Sequence, residues 1–170
     1  MSDTELDKVL TQRHEANQTI VNVEEATIKL VVFELAQQGF AFHSESIREV
    51  LGHATVFFVP GCPASLEGVI NVRGDIESVI LLNNLLHLPT SASNPQAPIL
   101  LGRGKEVSSG IRVDHVIDVI DVVESSIQPP PSTQAEYMQG LVSGLLHFQD
   151  RPITLLDLDQ IFADYARGLG

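Results

Sequence analysis

The sequence predicts an all-β protein, and three observations carry the prediction. Short apolar runs rich in Val, Ile, Leu and Phe recur from residue 28 onward. Each is bounded by Gly, Pro, Asn or Asp, and the turn signals fall roughly every 8 to 12 residues. No long amphipathic helix separates the runs, which argues for sandwiches or small barrels and against a parallel α/β sheet.

Residues 1 to 26 are polar, with Leu6, Val9 and Leu10 at roughly helical spacing and Asp3 or Thr4 available as a cap; a short helix and a plain extension are both compatible with this stretch. Strands are then expected at Ile28 to Leu35, Phe40 to Phe42, Thr55 to Val59, Gly68 to Asn71 and Ile76 to Leu82. Gln37-Gln38-Gly39 reads as a hairpin turn in which Gly39 takes the positive φ, and Ser44 to Val50 as a turn before the third strand. A connector rich in Pro, Ser and Asn runs from Pro89 to Pro98. A second set of strands is expected at Ile99 to Gly102, Gly110 to Val113, Val116 to Val123, Leu141 to Phe148 and Pro152 to Leu156. The chain therefore divides into two halves of about five strands, near residues 27–90 and 97–157 within a domain spanning 27–165. Pro129-Pro130-Pro131 is a stiff connector. Leu158, Ile161, Phe162 and Tyr165 recur at three to four residues and predict a closing helix capped near Asp157.

Composition excludes several functions. A formal charge of -12 repels phosphate backbones and anionic headgroups, so nucleic acid and direct membrane insertion are not expected. The acidic start lacks the basic and apolar regions of a secretory signal, and Val79 to Leu88 is too short to span a bilayer, so a cytoplasmic protein is expected. One cysteine, Cys62, rules out an internal disulfide. The six histidines form neither a His-x-x-x-His nor a Cys-x-x-Cys type of pair, and Gly102-Arg103-Gly104-Lys105 reads as a hairpin turn, not a phosphate loop. No cofactor, metal or catalytic residue is expected. The opposing reading, a metal-dependent or thiol enzyme using Cys62, lacks a recognisable ligand or base spacing.

The most informative segment is Gly68-Val69-Ile70-Asn71-Val72-Arg73-Gly74, an apolar strand broken by a bend that carries one cation. Arg73 can reach a partner's carboxylate or carbonyl, or form an internal salt bridge that pins the hairpin. Asn71 and Gly74 suit the backbone geometry of the bend. The segment closely resembles the signature of the CheW family, scaffolds that couple chemoreceptors to the histidine kinase CheA. Further matches follow in order: Val31-Val32-Phe33-Glu34-Leu35 with Gly39-Phe40-Ala41-Phe42, Ile47-Arg48-Glu49-Val50, Pro63 to Gly68, Gly110 to Val116, Tyr137-Met138-Gln139-Gly140 and Leu155-Leu156-Asp157-Leu158.

The resemblance implies two five-stranded SH3-like barrels packed about a shared hydrophobic core, with a short C-terminal helix. It further implies a non-enzymatic adaptor whose partners are a CheA-type histidine kinase and the cytoplasmic tip of a chemoreceptor. The partner-binding positions it implies are Ile47, Glu49, Gly68, Asn71, Arg73 and Gly74, to which the sequence adds Leu81. The chain departs from the family pattern at Ser78, at Leu81 and Asn83, where an acid and a cation are usual, and at Arg112, in a strand position that is commonly apolar. These departures suggest an exposed edge that has lost its charge, and with it the alternative of a divergent scaffold in a pilus-control or other non-flagellar sensory system.

Overall fold

The computed structural model describes residues 25–90, 94 and 96–169. The expectation for Leu6, Val9 and Leu10 lies outside them. Among the described residues ten strands form: β1 (Thr27–Leu35), β2 (Gln38–His43), β3 (Ile47–Leu51), β4 (Leu66–Val72), β5 (Asp75–Leu81), β6 (Ile99–Arg103), β7 (Ser108–Arg112), β8 (His115–Val123), β9 (Val142–Phe148) and β10 (Arg151–Leu156). A one-turn helix, α1 (Leu82–Leu85), follows β5, and α2 (Leu158–Leu169) closes the domain. The all-β architecture is the one the sequence predicts. Just before α2, Asp157 Oδ1 accepts the Gln160 N–H at 3.2 Å, and Leu158, Ile161, Phe162 and Tyr165 are buried on one face of the helix.

The strands form two five-stranded sheets, ordered β8-β1-β2-β10-β9 and β3-β6-β7-β5-β4. The first is called sheet A and the second sheet B. The chain does contain two runs of five strands, β1–β5 and β6–β10, but neither run is a sheet. Sheet A takes the hairpin β1–β2 from the first half and β8, β9 and β10 from the second, whereas sheet B takes β6–β7 from the second half and β3, β4 and β5 from the first. The two halves have exchanged their leading hairpins, so a division into barrels at residues 90 to 97 does not follow the sheets. Each exchange is sealed by one parallel pair, β2 with β10 and β5 with β7.

Side-chain alternation distributes the apolar residues over three clusters. Val31, Phe33 and Leu35 of β1 join Ile80, Leu100, Ile111 and the α2 face in a core shared by both sheets. Their neighbours Leu30 and Val32 face a cluster on the other side of sheet A with Leu146, Ile153 and Leu155. In sheet B, Ile70, Val72, Val79, Ile99 and Leu101 form the corresponding interior. Because central strands are covered on both faces, they read as unbroken apolar runs. Phe33 stacks on Phe42 with ring centroids 5.0 Å apart at the centre of the shared core.

Three local expectations need correction. Ser44 to Val50 is not simply a turn: a 3-10 turn at Ser44–Ser46 leads into β3, which pairs with β6. Polar Arg48 and Glu49 disguise this strand, since it lies at a sheet edge where charge is tolerated. Thr55 to Val59, expected as the third strand, makes only the single bridge Phe57 to Val69. The first hairpin turns at Ala36 and Gln37, with φ of 49° and 66°, and Gly39 is instead a strand residue. A Cβ at Gly39 would overlap Ile153 and crowd the Pro152 carbonyl across the parallel pair with β10.

Candidate partner-binding surface

The signature segment supplies β4 and a two-residue turn into β5, with Val72 opposite Asp75. Both turn residues have positive φ, 51° at Arg73 and 94° at Gly74, the combination that matches the twist of a tight hairpin. Asn71 holds the bend, its Oδ1 accepting the Gly74 N–H at 2.8 Å. Asn71 and Gly74 therefore set backbone geometry, and the turn projects Arg73 outward.

Arg73 does not stand alone. Its Nη1 and Nη2 donate to Glu49 Oε1 and Oε2 at 3.0 and 2.6 Å, a bidentate pair between the hairpin tip and β3. The Arg73 bond, with a further Coulombic contribution, holds the Glu49 carboxyl below the usual glutamate range, and the same contact raises Arg73. One residue earlier on β3, Arg48 Nη2 donates to Glu77 Oε1 of β5 at 2.8 Å. Strands β3 and β4 are the two edges of sheet B. The two ion pairs tie the β3 edge back to the β4–β5 hairpin and so bring both halves of the candidate surface onto one frame. The internal salt bridge considered for Arg73 is real, yet its side chain remains 74% exposed and available at the surface.

The structure thus joins Glu49, Asn71, Arg73 and Gly74 around one hairpin tip. Ile47, at the start of the same β3, is half-buried against the shared core and anchors that strand. Gly68 does not belong to the tip. A Cβ there would overlap the Phe57 carbonyl, and the close approach lets Phe57 exchange backbone hydrogen bonds with Val69 at 2.8 and 2.9 Å.

Leu81 is also elsewhere, and the exposed-edge reading of Leu81 and Asn83 is overturned. β5 lies between β4 and β7, Leu81 is half-buried with its N–H donating to Ser65 O at 2.8 Å, and Asn83 is only 4% exposed. Asn83 Nδ2 donates to Pro89 O at 3.0 Å. Arg112, in register with Leu81 across the parallel pair, is 8% exposed. Its Nε and Nη2 donate to the two Glu67 carboxylate oxygens at 3.0 and 2.9 Å, and Nη1 donates to Ala97 O at 2.6 Å. These residues line a cleft of about 280 Å³. Asn83 and Arg112 thereby pin the two ends of the 89–98 connector. The departures at Leu81, Asn83 and Arg112 lie at the connector cleft and not at an exposed charged edge, while Ser78 bonds Ser109 on β7, its Oγ 2.7 Å from Ser109 Oγ.

Sequence reasoning missed Arg48 with Glu77, whose pairing depends on where β3 folds back, and the exposed apolar residues Phe57, Phe58 and Ile76. Among the described residues no group of three His, Cys, Asp or Glu side chains could hold a metal ion, and no helix is long and apolar enough to cross a membrane.

Two exchanged-hairpin β-sheets with a structured surface hairpin define a protein-contact scaffold. The model of the CheW-like domain matches residues 29–166, and the chain belongs to the CheW family. It is 27% identical over 139 residues to the chemotaxis protein CheW of Rhizobium meliloti, covering 82% of this chain and 90% of that one. It is 30% identical over 137 residues to the chemotaxis protein CheW of Thermotoga maritima, covering 80% and 88%. The crystal structure of the scaffolding protein TtCheW from Thermoanaerobacter tengcongensis superimposes with a TM-score of 0.73 at 28% identity, covering 81% of this chain and 93% of that one.

Proposed function

We propose that this protein is a non-enzymatic scaffold in chemotaxis signal transduction that couples the cytoplasmic tip of a chemoreceptor to a CheA-type histidine kinase. The single observation that carries this reading is the Glu49–Arg73 hairpin tip, a charged, outward-facing surface fixed to a rigid two-sheet frame in a member of the CheW family. Arg73, Glu49 and Asn71 supply the receptor-facing contacts, while Ile47, Gly68 and Gly74 hold the strands that present them. Leu81 contributes from inside, as a wall of the connector cleft. The mechanism is positioning: the scaffold places a kinase beside a receptor and passes on small rearrangements across its interfaces, without bond-making chemistry. Its place is cytoplasmic, held at receptor arrays through its partners.

The test is capture from native lysate with the parent protein and Arg73→Glu as parallel baits, followed by mass spectrometry. Recovery of a chemoreceptor and a CheA-type kinase by the parent, with the receptor lost on Arg73→Glu, supports the reading. Recovery of neither by the parent overturns it.

A further inference from the structure

The strand pairs β1 with β8, β2 with β10, β3 with β6 and β5 with β7 all join residues before the connector to residues after it. The ion pairs Glu67–Arg112 and Glu34–Arg151 cross in the same way. The connector takes little part in this. Each of its ends is held by a side chain of its own half: Asn83 Nδ2 donates to Pro89 O, and Arg112 Nη1 to Ala97 O. Between the two pins lie residues 90–96. Among the described residues of that span the hydrogen bonds are local, Ala97 N–H to Asn94 O and Gln96 N–H to Asn94 Oδ1, both at 3.0 Å. Leading this span to another molecule therefore breaks none of the pairs that join the halves.

We propose that two copies of the chain exchange halves, residues 27–89 of each folding onto residues 97–169 of the other, to give a twofold dimer of two complete ten-stranded units. The partner is selected by identity. Only a second copy carries β1, β2, β3 and β5 in the registers that β8, β10, β6 and β7 require, and no unrelated chain, neutral or charged, supplies them. The span suits the exchange: Pro89, Pro95 and Pro98 bias the residues before them toward extended backbone, and seven extended residues reach up to about 25 Å. Because both forms make the same pairs, they differ only in the span and in the cost of association. A short connector favours closing on the same chain until the chain concentration approaches roughly millimolar, where exchange competes. Once formed, the dimer separates only by undoing both sheets and the shared core, so it outlasts dilution. The proposal is independent of the receptor and kinase contacts.

The test uses the full chain in a Cys62→Ser background. Lys29 of β1 and Asp121 of β8 are exposed partners in register, one in each half, and a disulfide fits the spacing of paired strands. Lys29→Cys and Asp121→Cys are made in separate chains and mixed. The mixture is refolded from denaturant, or held just below its thermal midpoint, at about 1 µM and at about 1 mM, the second near the crossover. Both samples are then diluted and mildly oxidised. The concentrated sample should hold a dimer fraction at least about tenfold that of the dilute one, and its disulfides should join position 29 of one chain to position 121 of the other in preference to like positions. Lys29→Cys/Asp121→Cys in a single chain, which closes the bond within the monomer, sets the yield of a complete unit. A concentrated sample that stays monomeric, a dimer that falls apart on dilution, or random joining of like and unlike positions would overturn the proposal.

Discussion

The Arg73 guanidinium lies against the Glu49 carboxylate with one nitrogen on each oxygen, at 3.0 and 2.6 Å, although Glu49 on β3 and Arg73 in the β4–β5 turn are separated by an entire loop and strand of the chain. The pair is exposed, so its value is orientational more than energetic. Replacing Arg73 by Glu sets like charge against Glu49 and Asp75 at the tip. Receptor capture should fall at least about tenfold while the thermal midpoint moves by only a few degrees, as is usual for surface substitutions. A parallel collapse of the melting curve would make Arg73 structural.

The same pair fixes a pH dependence. Hydrogen bonding from Arg73 lowers the Glu49 pKa in the folded protein, against a smaller opposing effect of burial. Its contribution to stability is therefore present above the ordinary glutamate value of about 4.3 and is lost as pH falls through the lower folded value. Carbon-detected titration should show the Glu49 carboxyl titrating below that value in the parent and returning to it in Arg73→Gln. Identical titration in both proteins would show that the pair does not persist in solution.

Gly68→Ala tests whether this signature glycine serves packing and not a partner. The added methyl would overlap the Phe57 carbonyl, which is backbone and cannot rotate away. Overpacking of this kind costs about 1–3 kcal/mol, or a midpoint lowered by about 3–10 °C for a domain of this size. Unchanged stability with lost receptor capture would reverse the assignment.

Glu67 and Arg112 should show strong coupling. Glu67→Gln leaves a guanidinium that is nearly buried without its counter-charge, a loss of about 2–4 kcal/mol given that the carboxylate side is partly solvated. Arg112→Met also removes the donor to Ala97 O, yet the freed carboxylate can turn to water, so it should cost less. The double variant should be closer to the parent than additivity of the two singles predicts. Chemical denaturation of all four proteins closes the cycle.

How much of this was legible in the sequence depends on how local each cause is. The β4–β5 hairpin could be read because Asn71, Arg73 and Gly74 specify their turn within four residues. The α2 helix could be read because its apolar spacing and the Asp157 cap are equally local. β3 could not, since its pairing partner β6 is fifty residues downstream and its own side chains are charged. Leu81 and Asn83 were misplaced for a related reason: whether a strand is an edge depends on what pairs with it, and β7 reaches β5 only after the connector and another strand. Arg112 looks anomalous in its own strand and becomes explicable only when Glu67 is brought beside it. The assignment of the strands to sheets was hidden altogether, because both halves carry the same order of elements and nothing local says which hairpin each half keeps.

The exchanged hairpins give the chain a property of a split protein. Neither half holds a full sheet: residues before the connector lack β6 and β7 to complete sheet B, and residues after it lack β1 and β2 to complete sheet A. A peptide bond broken between Pro89 and Pro98 would leave two fragments that each expose the seat for the other's hairpin, and the parallel pairs β2–β10 and β5–β7 would have to form between molecules. Beyond its two anchored ends, at Pro89 and Ala97, the connector's covalent role is to hold the two halves at high effective concentration. Mixed in equal amounts, two such fragments should therefore behave as a complementation pair, each folding only on the other.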